Sequence, residues 1–334
     1  MDISVIILTY NEETHIRRCL ENVKSWTHEV FVVDCFSSDQ TLAIAQSLEA
    51  KVIQNSWEGL YARQFNWALD NCPIKTEWVL RLDADEYLYP ALIDEIKAKL
   101  SSLPEDVAGV SFKRRHIFLG RWMKRGTYPV KLLRLFRYGK ARCEQRLMDE
   151  HIELLEGRSV EFEGDFADHN LNDIGWWTAK HNGYALREAV DLLDLEFGIL
   201  EGSNAADAAG LRVQTACGLV QTRLTPLVQE GSTAAGKQTL ELPSRLEGQA
   251  AEKRAKKMRY ARMPLFWRAF AYFCYRYFLR GGFLEGKEGF LWHFLQGWWY
   301  RTLVDTKVFE IKRESGGDRD KMLALLRGKY GMKI

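Results

Sequence analysis

The feature that most constrains this chain is the alternation of short, β-branched apolar runs with helical patterns over its first hundred residues. Residues 3–9 (ISVIILT) are almost uniformly apolar and are bounded by the polar Asn11-Glu12-Glu13. A run without polar alternation implies a strand buried on both faces, as in a parallel sheet. Ile16, Leu20 and Val23 then fall at helical spacing, and the pattern repeats. Strands are expected at 29–34 (EVFVVD), 51–54 and 78–82, and helices at 39–48 and 62–69. Such βαβ spacing predicts an α/β fold with a doubly wound, mostly parallel central sheet flanked by helices. Ligands of these sheets bind beyond the carboxyl ends of the strands, so the polar residues there are the candidate site.

The most informative of these clusters is Asp83-Ala84-Asp85-Glu86, directly after the fourth apolar run. Two carboxylates two residues apart at a strand end can grip a hard divalent cation and leave positions open for phosphate oxygens. An acidic turn opening a helix is the competing reading. Thr9-Tyr10-Asn11-Glu12 follows the first run, and Asp34-Cys35-Phe36-Ser37-Ser38-Asp39-Gln40-Thr41 follows the second. Their short polar side chains suit a nucleobase edge or ribose hydroxyls, or they cap the next helix. Arg63, Gln64 and Asn66 open the third helix, where a guanidinium and amides can face a diphosphate.

Taken together, ILTYNE, VVDCFSSDQT, ARQFNWAL and LRLDADEYL resemble, in order and spacing, the family 2 glycosyltransferases of GT-A fold, nearest the lipopolysaccharide-core and cell-surface glucosyl- and heptosyltransferases. The resemblance covers about residues 1–196. It implies an inverting, Mn²⁺- or Mg²⁺-dependent transfer of a sugar from a nucleotide diphosphate donor, a UDP-sugar by preference. By that likeness Thr9, Asn11, Glu12, Asp34 and Ser37 line the nucleoside pocket, with Arg63 and Gln64 nearby. Asp83 contacts ribose or metal, Asp85 is the direct metal ligand, and His169 in DFADHN is a late ligand. Many relatives carry Gly or Asn after the aspartate of the second motif, where this chain has Cys35-Phe36. In Met148-Asp149-Glu150-His151, Glu150 is implied as the general base that deprotonates the acceptor hydroxyl, with Asp149 in reserve. Arg125, Tyr128 and Arg134 are read as an acceptor loop over the donor.

Beyond about residue 105 the alternation ends. Strands are expected at 107–113 and 130–136, a Gly- and Arg-containing loop at 119–128, and a helix from about 173 to 195. The expected organisation is a catalytic domain over 1–196, with nucleotide binding in about 1–105 and the acceptor side in about 106–196. An insertion or linker over 197–252 follows, with a short helix near 219–224. A basic, aromatic helical region over 253–334 completes the chain. A net charge of +2 hides this asymmetry: residues 251–334 hold 19 Lys/Arg against 8 Asp/Glu, leaving −9 for the rest. Phe266, Trp267, Phe270, Phe273 and Phe278 mix there with Arg268, Arg276 and Arg280, interrupted at Gly281-Gly282. Aromatic residues with snorkelling arginines suit a membrane interface bearing anionic lipid, giving peripheral attachment and a lipid-linked or lipopolysaccharide-type glycan acceptor. Packing on the catalytic core is the alternative for the same segment.

Six scattered cysteines (Cys19, Cys35, Cys72, Cys143, Cys217, Cys274) without a CxxC pair suit free thiols in a reducing compartment. With no basic leader after Met1-Asp2 and no run of 18 uncharged apolar residues, the expected location is cytoplasmic, at the inner membrane face. Two rivals share the architecture: a sugar-nucleotide nucleotidyltransferase, which lacks its Gly-rich triphosphate loop here, and a non-catalytic membrane-bound scaffold. Nucleic-acid binding is not expected, because the tail's aromatics form apolar blocks rather than stacking platforms.

Overall fold

The computed structural model describes residues 1–145, 150–199 and 259–332. Strands β1 (Ile3–Thr9), β2 (Glu29–Asp34), β3 (Lys51–Gln54) and β4 (Trp78–Asp83) lie in the order β3-β2-β1-β4, all parallel. Helices α1 (Ile16–Val23), α2 (Thr41–Ser47) and α3 (Tyr61–Asn71) connect them. Burial on both faces explains the unbroken apolar runs. Ile3, Val5 and Ile7 pack with Ile16, Leu20 and Val23 of α1. Ile6, with Phe31 and Val33 of β2, faces Ala62, Phe65 and Ala68 of α3 on the other side. Each such side chain contributes about 1.5–3 kcal/mol on burial, so neither face tolerates a polar register.

The sheet then changes character. Strand β5 (Glu86–Leu88) leads to helix α4 (Pro90–Lys99), and β6 (Val107–Phe118), β7 (Arg121–Trp122), β8 (Val130–Arg137), β9 (Ala141–Cys143), β10 (Ile152–Leu154) and β11 (Arg158–Asp168) follow. Strand β8 inserts antiparallel between β4 and β6, β11 runs parallel to β6, and β5 closes the edge antiparallel to β11. A connection of only 11 residues (119–129) from β6 to β8 is too short for a helical crossover, which dictates the antiparallel pair. Within that connection, expected as plain loop, β7 folds back on β6 through Ile117 and Trp122. The α/β expectation of a GT-A sheet holds: a parallel half on β3-β2-β1-β4 and a mixed half beyond it.

Helix α5 (Ile174–Phe197) starts where Asp173 accepts a hydrogen bond from Trp176 N at 2.8 Å, and it ends at Gly198, whose φ of 58° suits glycine. The C-terminal part comprises α6 (Trp267–Cys274), a π-type segment Tyr275–Leu279, a 3-10 turn Gly282–Glu285, α7 (Gly286–Trp292), a second π segment His293–Trp299, α8 (Tyr300–Ser315) and α9 (Arg319–Gly328). The packing reading describes part of this segment. Tyr300, Val304 and Val308 of α8 pack on Ala185, Ala189 and Leu193 of α5, while Trp267, Phe278 and Leu279 point outward at 71%, 56% and 80% exposure. Among the described residues no helix is long and apolar enough to cross a membrane. Asp149, Cys217, the helix expected near 219–224 and most of the 197–252 segment lie outside the described residues.

Candidate active site

Two loops at the carboxyl ends of β1 and β2 interlock. Asp34 is fully buried and accepts from Thr9 Oγ1 at 2.9 Å and from Ser37 N at 2.8 Å, with the Ser37 hydroxyl as a further donor. Ser37 Oγ in turn accepts from Asn11 N at 2.8 Å, and Asn11 Oδ1 accepts from Ser38 N at 2.8 Å. The Glu12 backbone N–H donates to Thr41 Oγ1 at 2.7 Å, and its carboxylate lies 2.7 Å from His15 Nδ1. The nucleoside residues expected from sequence are thus brought together, with Asp34 as the hub rather than a free acceptor. Asn11 and Phe36 both adopt left-handed backbone, φ 53° and 58°. Asn tolerates that region and a bulky aromatic does not, so Phe36, 58% exposed, holds a strained position at the pocket mouth.

The third helix contributes less than expected. Gln64 is buried, its amide engaged with Asn55 and the Cys35 sulfur. Asn66 clamps Cys143 of β9 through both its amide groups at 2.9 Å. These amides tie loops together instead of facing a diphosphate, whereas Arg63 remains half-buried near Glu58 at 3.7 Å.

At the end of β4 an acidic cluster gathers around one arginine. Antiparallel pairing of β5 with β11 sets Glu86 opposite Asp168, so Asp83, Asp85, Glu86 and Asp168 converge. Arg134 is 5% exposed and bridges the buried Glu86 carboxylate, with Asp83 Oδ2 at 3.4 Å. This corrects its placement in an acceptor loop: Arg134 on β8 is the floor of the acidic site. Burial opposes ionisation of Asp83, yet Arg134 and Arg81 more than offset it and hold its pKa below the usual range. Asp85 lacks such a cation. Burial, then the charges of Asp168 and Asp83, raise its pKa to about 6, with Lys180 and the Asn170 amide (3.0 Å) pulling the other way. Burial likewise pushes Glu86 to about 8 despite Arg134. Asp168 is held low, against burial, by His116 at 3.2 Å and Arg114 at 3.4 Å.

Asp83 and Asp85 are donors of the kind a hard divalent cation takes, although among the described residues no group of three or more His, Cys, Asp or Glu side chains is placed to hold one. Both offer carboxylate oxygens, and burial first, then the charges of Asp168 and Asp83, disfavours an ionised Asp85 in the absence of a further cation. His169 fits less well. Its Nδ1 lies 3.1 Å from Arg18 Nη1, and burial and the Arg18 charge lower its pKa. A neutral ring accepting at Nδ1 carries its proton on Nε2 and presents no lone pair to a metal. In this arrangement His169 positions Arg18 rather than ligating. Arg18 also donates to the carbonyl oxygens of Asp85 (3.1 Å) and His169 (2.6 Å), locking the acidic turn to the end of β11.

Glu150 sits just before β10; burial raises the pKa of the Cys143 thiol, Arg81 opposes that, and the Glu150 charge adds a smaller rise. Arg81 links the two places: its Nη1 is 3.6 Å from Cys143 Sγ and its Nη2 is 3.8 Å from Asp83. The loop between β7 and β8 is anchored at both ends. Tyr128 donates to Asp165 Oδ1 at 2.9 Å, and the Lys124 and Arg125 N–H groups donate to Glu285. Sequence reasoning missed Arg18, Asp168 and Lys180, and it counted Glu86 in the acidic cluster without giving it a role. Asp168 carried a signal, lying beside His169 in an already suspicious segment.

Residues 4–153 match the family described as glycosyl transferase family 2. An uncharacterized glycosyltransferase of Rickettsia typhi is 34% identical over 203 residues, 57% of this chain and 68% of that protein. The lipopolysaccharide core biosynthesis glycosyltransferase LpsC of Rhizobium meliloti is 31% identical over 150 residues, 43% of this chain and 54% of that protein. The crystal structure of S. aureus TarS 1-349 superposes with a TM-score of 0.38 at 19% identity, covering 63% of this chain and 70% of that one. With its interlocked β1 and β2 loops and its carboxylate pair after β4, the chain belongs to the family 2 glycosyltransferases.

Proposed function

We propose that the chain transfers a sugar, with inversion, from a UDP-sugar to a lipid-linked or lipopolysaccharide-type glycan at the cytoplasmic face of a membrane. The observation that carries the donor half is the carboxylate pair Asp83 and Asp85 at the end of β4, next to the Thr9, Asn11 and Asp34 loops. Asp85 and Asp83 hold Mn²⁺ or Mg²⁺, which supplies charge neutralisation for a departing diphosphate. Thr9, Asn11, Glu12 and Ser37 orient the nucleoside, and Arg63 lies on the diphosphate side. Glu150 takes the proton of the acceptor hydroxyl; Asp149 is the reserve for that role. Arg125 and Tyr128 shape the acceptor side through the loop that Glu285 and Asp165 fix.

The acceptor half rests on the likeness to LpsC and on the outward aromatic face of the C-terminal part. Phe266, Trp267, Phe270, Phe278, Phe283 and Leu284 are all at least 39% exposed within 19 residues, an apolar area that a lone soluble surface seldom carries. Arg262, Arg280 and Lys287 are exposed among them, in keeping with anionic headgroups. The donor half is tested by UDP-dependent thermal stabilisation with and without Mn²⁺, followed by transfer from a UDP-sugar panel. Asp85→Ala loses the metal-dependent part of UDP binding. Glu150→Gln keeps binding and loses transfer by about 10²–10⁴-fold. If no nucleotide stabilises the protein, the donor reading fails. Sedimentation with anionic liposomes tests the rest: Trp267→Glu together with Phe278→Glu abolishes it, and unchanged sedimentation refutes membrane attachment.

A further inference from the structure

Along one face of the segment that starts with α6, Arg268, Tyr272 and Arg276 recur at four-residue spacing, and Gly297, Arg301 and Asp305 recur in the same way on the segment leading into α8. The two rows oppose each other in reverse order. At one end Arg268, 2% exposed, has all it needs: its Nε is 2.7 Å from Asp305 Oδ1, its Nη2 also meets that carboxylate, and its Nη1 donates to Ala261 O at 3.0 Å. In the middle, the Arg276 and Arg301 guanidinium carbons lie 5.3 and 5.8 Å from the Tyr272 ring centroid. At the other end Arg276, 3% exposed, meets no carboxylate of the opposite row, because the residue opposite is Gly297. A Cβ on Gly297 would lie 3.6 Å from Arg276 Nη1, where a short acidic side chain would reach the guanidinium.

Arg276 Nε and Nη2 are buried and have no hydrogen-bond partner among the described residues; Tyr272 supplies its side-chain contact. Glu285 is within electrostatic reach, but its Oε1 is committed to the Lys124 and Arg125 N–H groups, and its Oε2 faces His293 Nε2 at 3.5 Å. Arg301 is bridged to Glu188 and its side chain is 30% exposed, so solvent reaches that side chain. Burial, with the nearby Arg301 charge adding to it, depresses the Arg276 pKa, as a cation short of counter-charge requires. A buried charge without a partner is costly, and a well-placed anion removes that cost. We propose that Arg276 and Arg301, beside Tyr272 and opposite Gly297, form a binding site for a phosphate-type anion.

The site is separate from the acidic cluster of β4 and does not depend on the donor reading. It lies directly behind the outward Tyr275, Phe278 and Leu279, so a phosphate on a lipid and free phosphate are both possible sources of the same chemistry.

The experiment follows the melting temperature of the full chain in inorganic phosphate against chloride of equal ionic strength. Short-chain phosphatidic acid below its micellar concentration forms a second arm. Wild type shows a saturable rise on the order of 2–4 °C in phosphate. Arg276→Met and Gly297→Asp both start at a higher melting temperature than wild type without added anion and lose the response. The first removes the unpaired charge and the second supplies its partner in cis. Phosphatidic acid acting at lower concentration than inorganic phosphate, only when Arg276 is present, identifies a lipid headgroup; equal potency identifies free phosphate. The proposal is overturned if both variants keep the wild-type shift, or if neither anion shifts wild type. UDP stabilisation in Mn²⁺, measured on the same samples, stays unchanged in both variants, so failure here is distinguishable from failure of the donor site.

Discussion

Replacing Phe36 by Gly moves stability and nucleotide affinity in opposite directions. Phe36 holds a φ of 58° while its ring is 58% exposed at the carboxyl end of β2. Left-handed backbone costs an L residue about 1–2 kcal/mol. The extra freedom of glycine in the unfolded chain takes back about 0.5–1 kcal/mol. Little apolar burial is lost from a ring so exposed, so the net gain is about 0.5–1 kcal/mol. On the proposed donor reading, what strain of this kind would retain is an exposed ring next to the Thr9, Asn11 and Ser37 loops that can stack on a nucleobase. One base–aromatic stack contributes about 1–3 kcal/mol, so UDP should bind roughly 5- to 150-fold more weakly to Phe36→Gly. Phe36→Ala separates the two effects: it keeps the backbone strain, gains nothing in stability and loses the same affinity. Urea unfolding gives the first quantity and calorimetric titration of UDP with Mn²⁺ the second. A lower urea midpoint for the glycine variant, or wild-type UDP affinity in both variants, refutes the reasoning.

Three further perturbations address other parts of the fold. Arg134→Met leaves the buried Glu86 without its cation; because Glu86 titrates at about 8, the loss should approach about 3–5 kcal/mol only above that pH and be smaller at pH 7, read from urea midpoints at both values, and an equal loss at the two would refute the assignment. His181 has its pKa pushed down to about 4 by burial, and Trp177 O and Gln296 occupy its ring nitrogens at 2.8 Å each. Its folded pKa lies below the unfolded value near 6.5, so it contributes stability present above that value and lost as pH falls toward 4. The slope of stability against pH in that window should flatten in His181→Gln. Glu285→Ala orphans the Lys124 and Arg125 N–H groups at about 1–3 kcal/mol each. Limited proteolysis should then cut first between residues 119 and 129.

The parallel half of the sheet was legible because burial on both faces writes itself into consecutive residues: Ile3 through Ile7 leave no other reading. The β1 and β2 loops were legible for a related reason, since their polar residues directly follow those runs. The acidic site was half legible. Asp83 and Asp85 stand side by side in sequence, but the groups that set their charge come from afar: Arg134 lies 51 residues from Asp83, and Arg18 lies 151 from His169. Strand alternation cannot report that a charged residue faces inward, which is why Arg134 was placed in a loop over the donor instead of under it. Spacing also could not foresee that Gln64 and Asn66 spend their amides on Asn55 and Cys143.

The basic aromatic segment looked like an appendage, and its contacts argue otherwise. Glu285 closes a 3-10 turn whose neighbours Phe283 and Leu284 are exposed at 50% and 57%, and the same carboxylate fixes Lys124 and Arg125. Gly126, at φ 83°, stands so near His293 that a Cβ would lie 2.5 Å from its Cε1, and a Cβ on Gly282 would collide with the same ring. Glycine is required at both places, at Gly126 for its backbone as well as for space. The loop and the turn therefore meet at backbone distance through a buried histidine. Neither can shift by more than a few tenths of an ångström without the other, because no flexible side chain lies between them to absorb the motion. The loop also hands the constraint on, since Tyr128 is bonded to Asp165, which pairs with Arg115 in the strand beside it. On the proposed assignment of the acceptor side, a surface engaging Phe283 and Leu284 would act on the β7–β8 loop through these contacts, since the C-terminal part is packed onto that loop rather than tethered beside it.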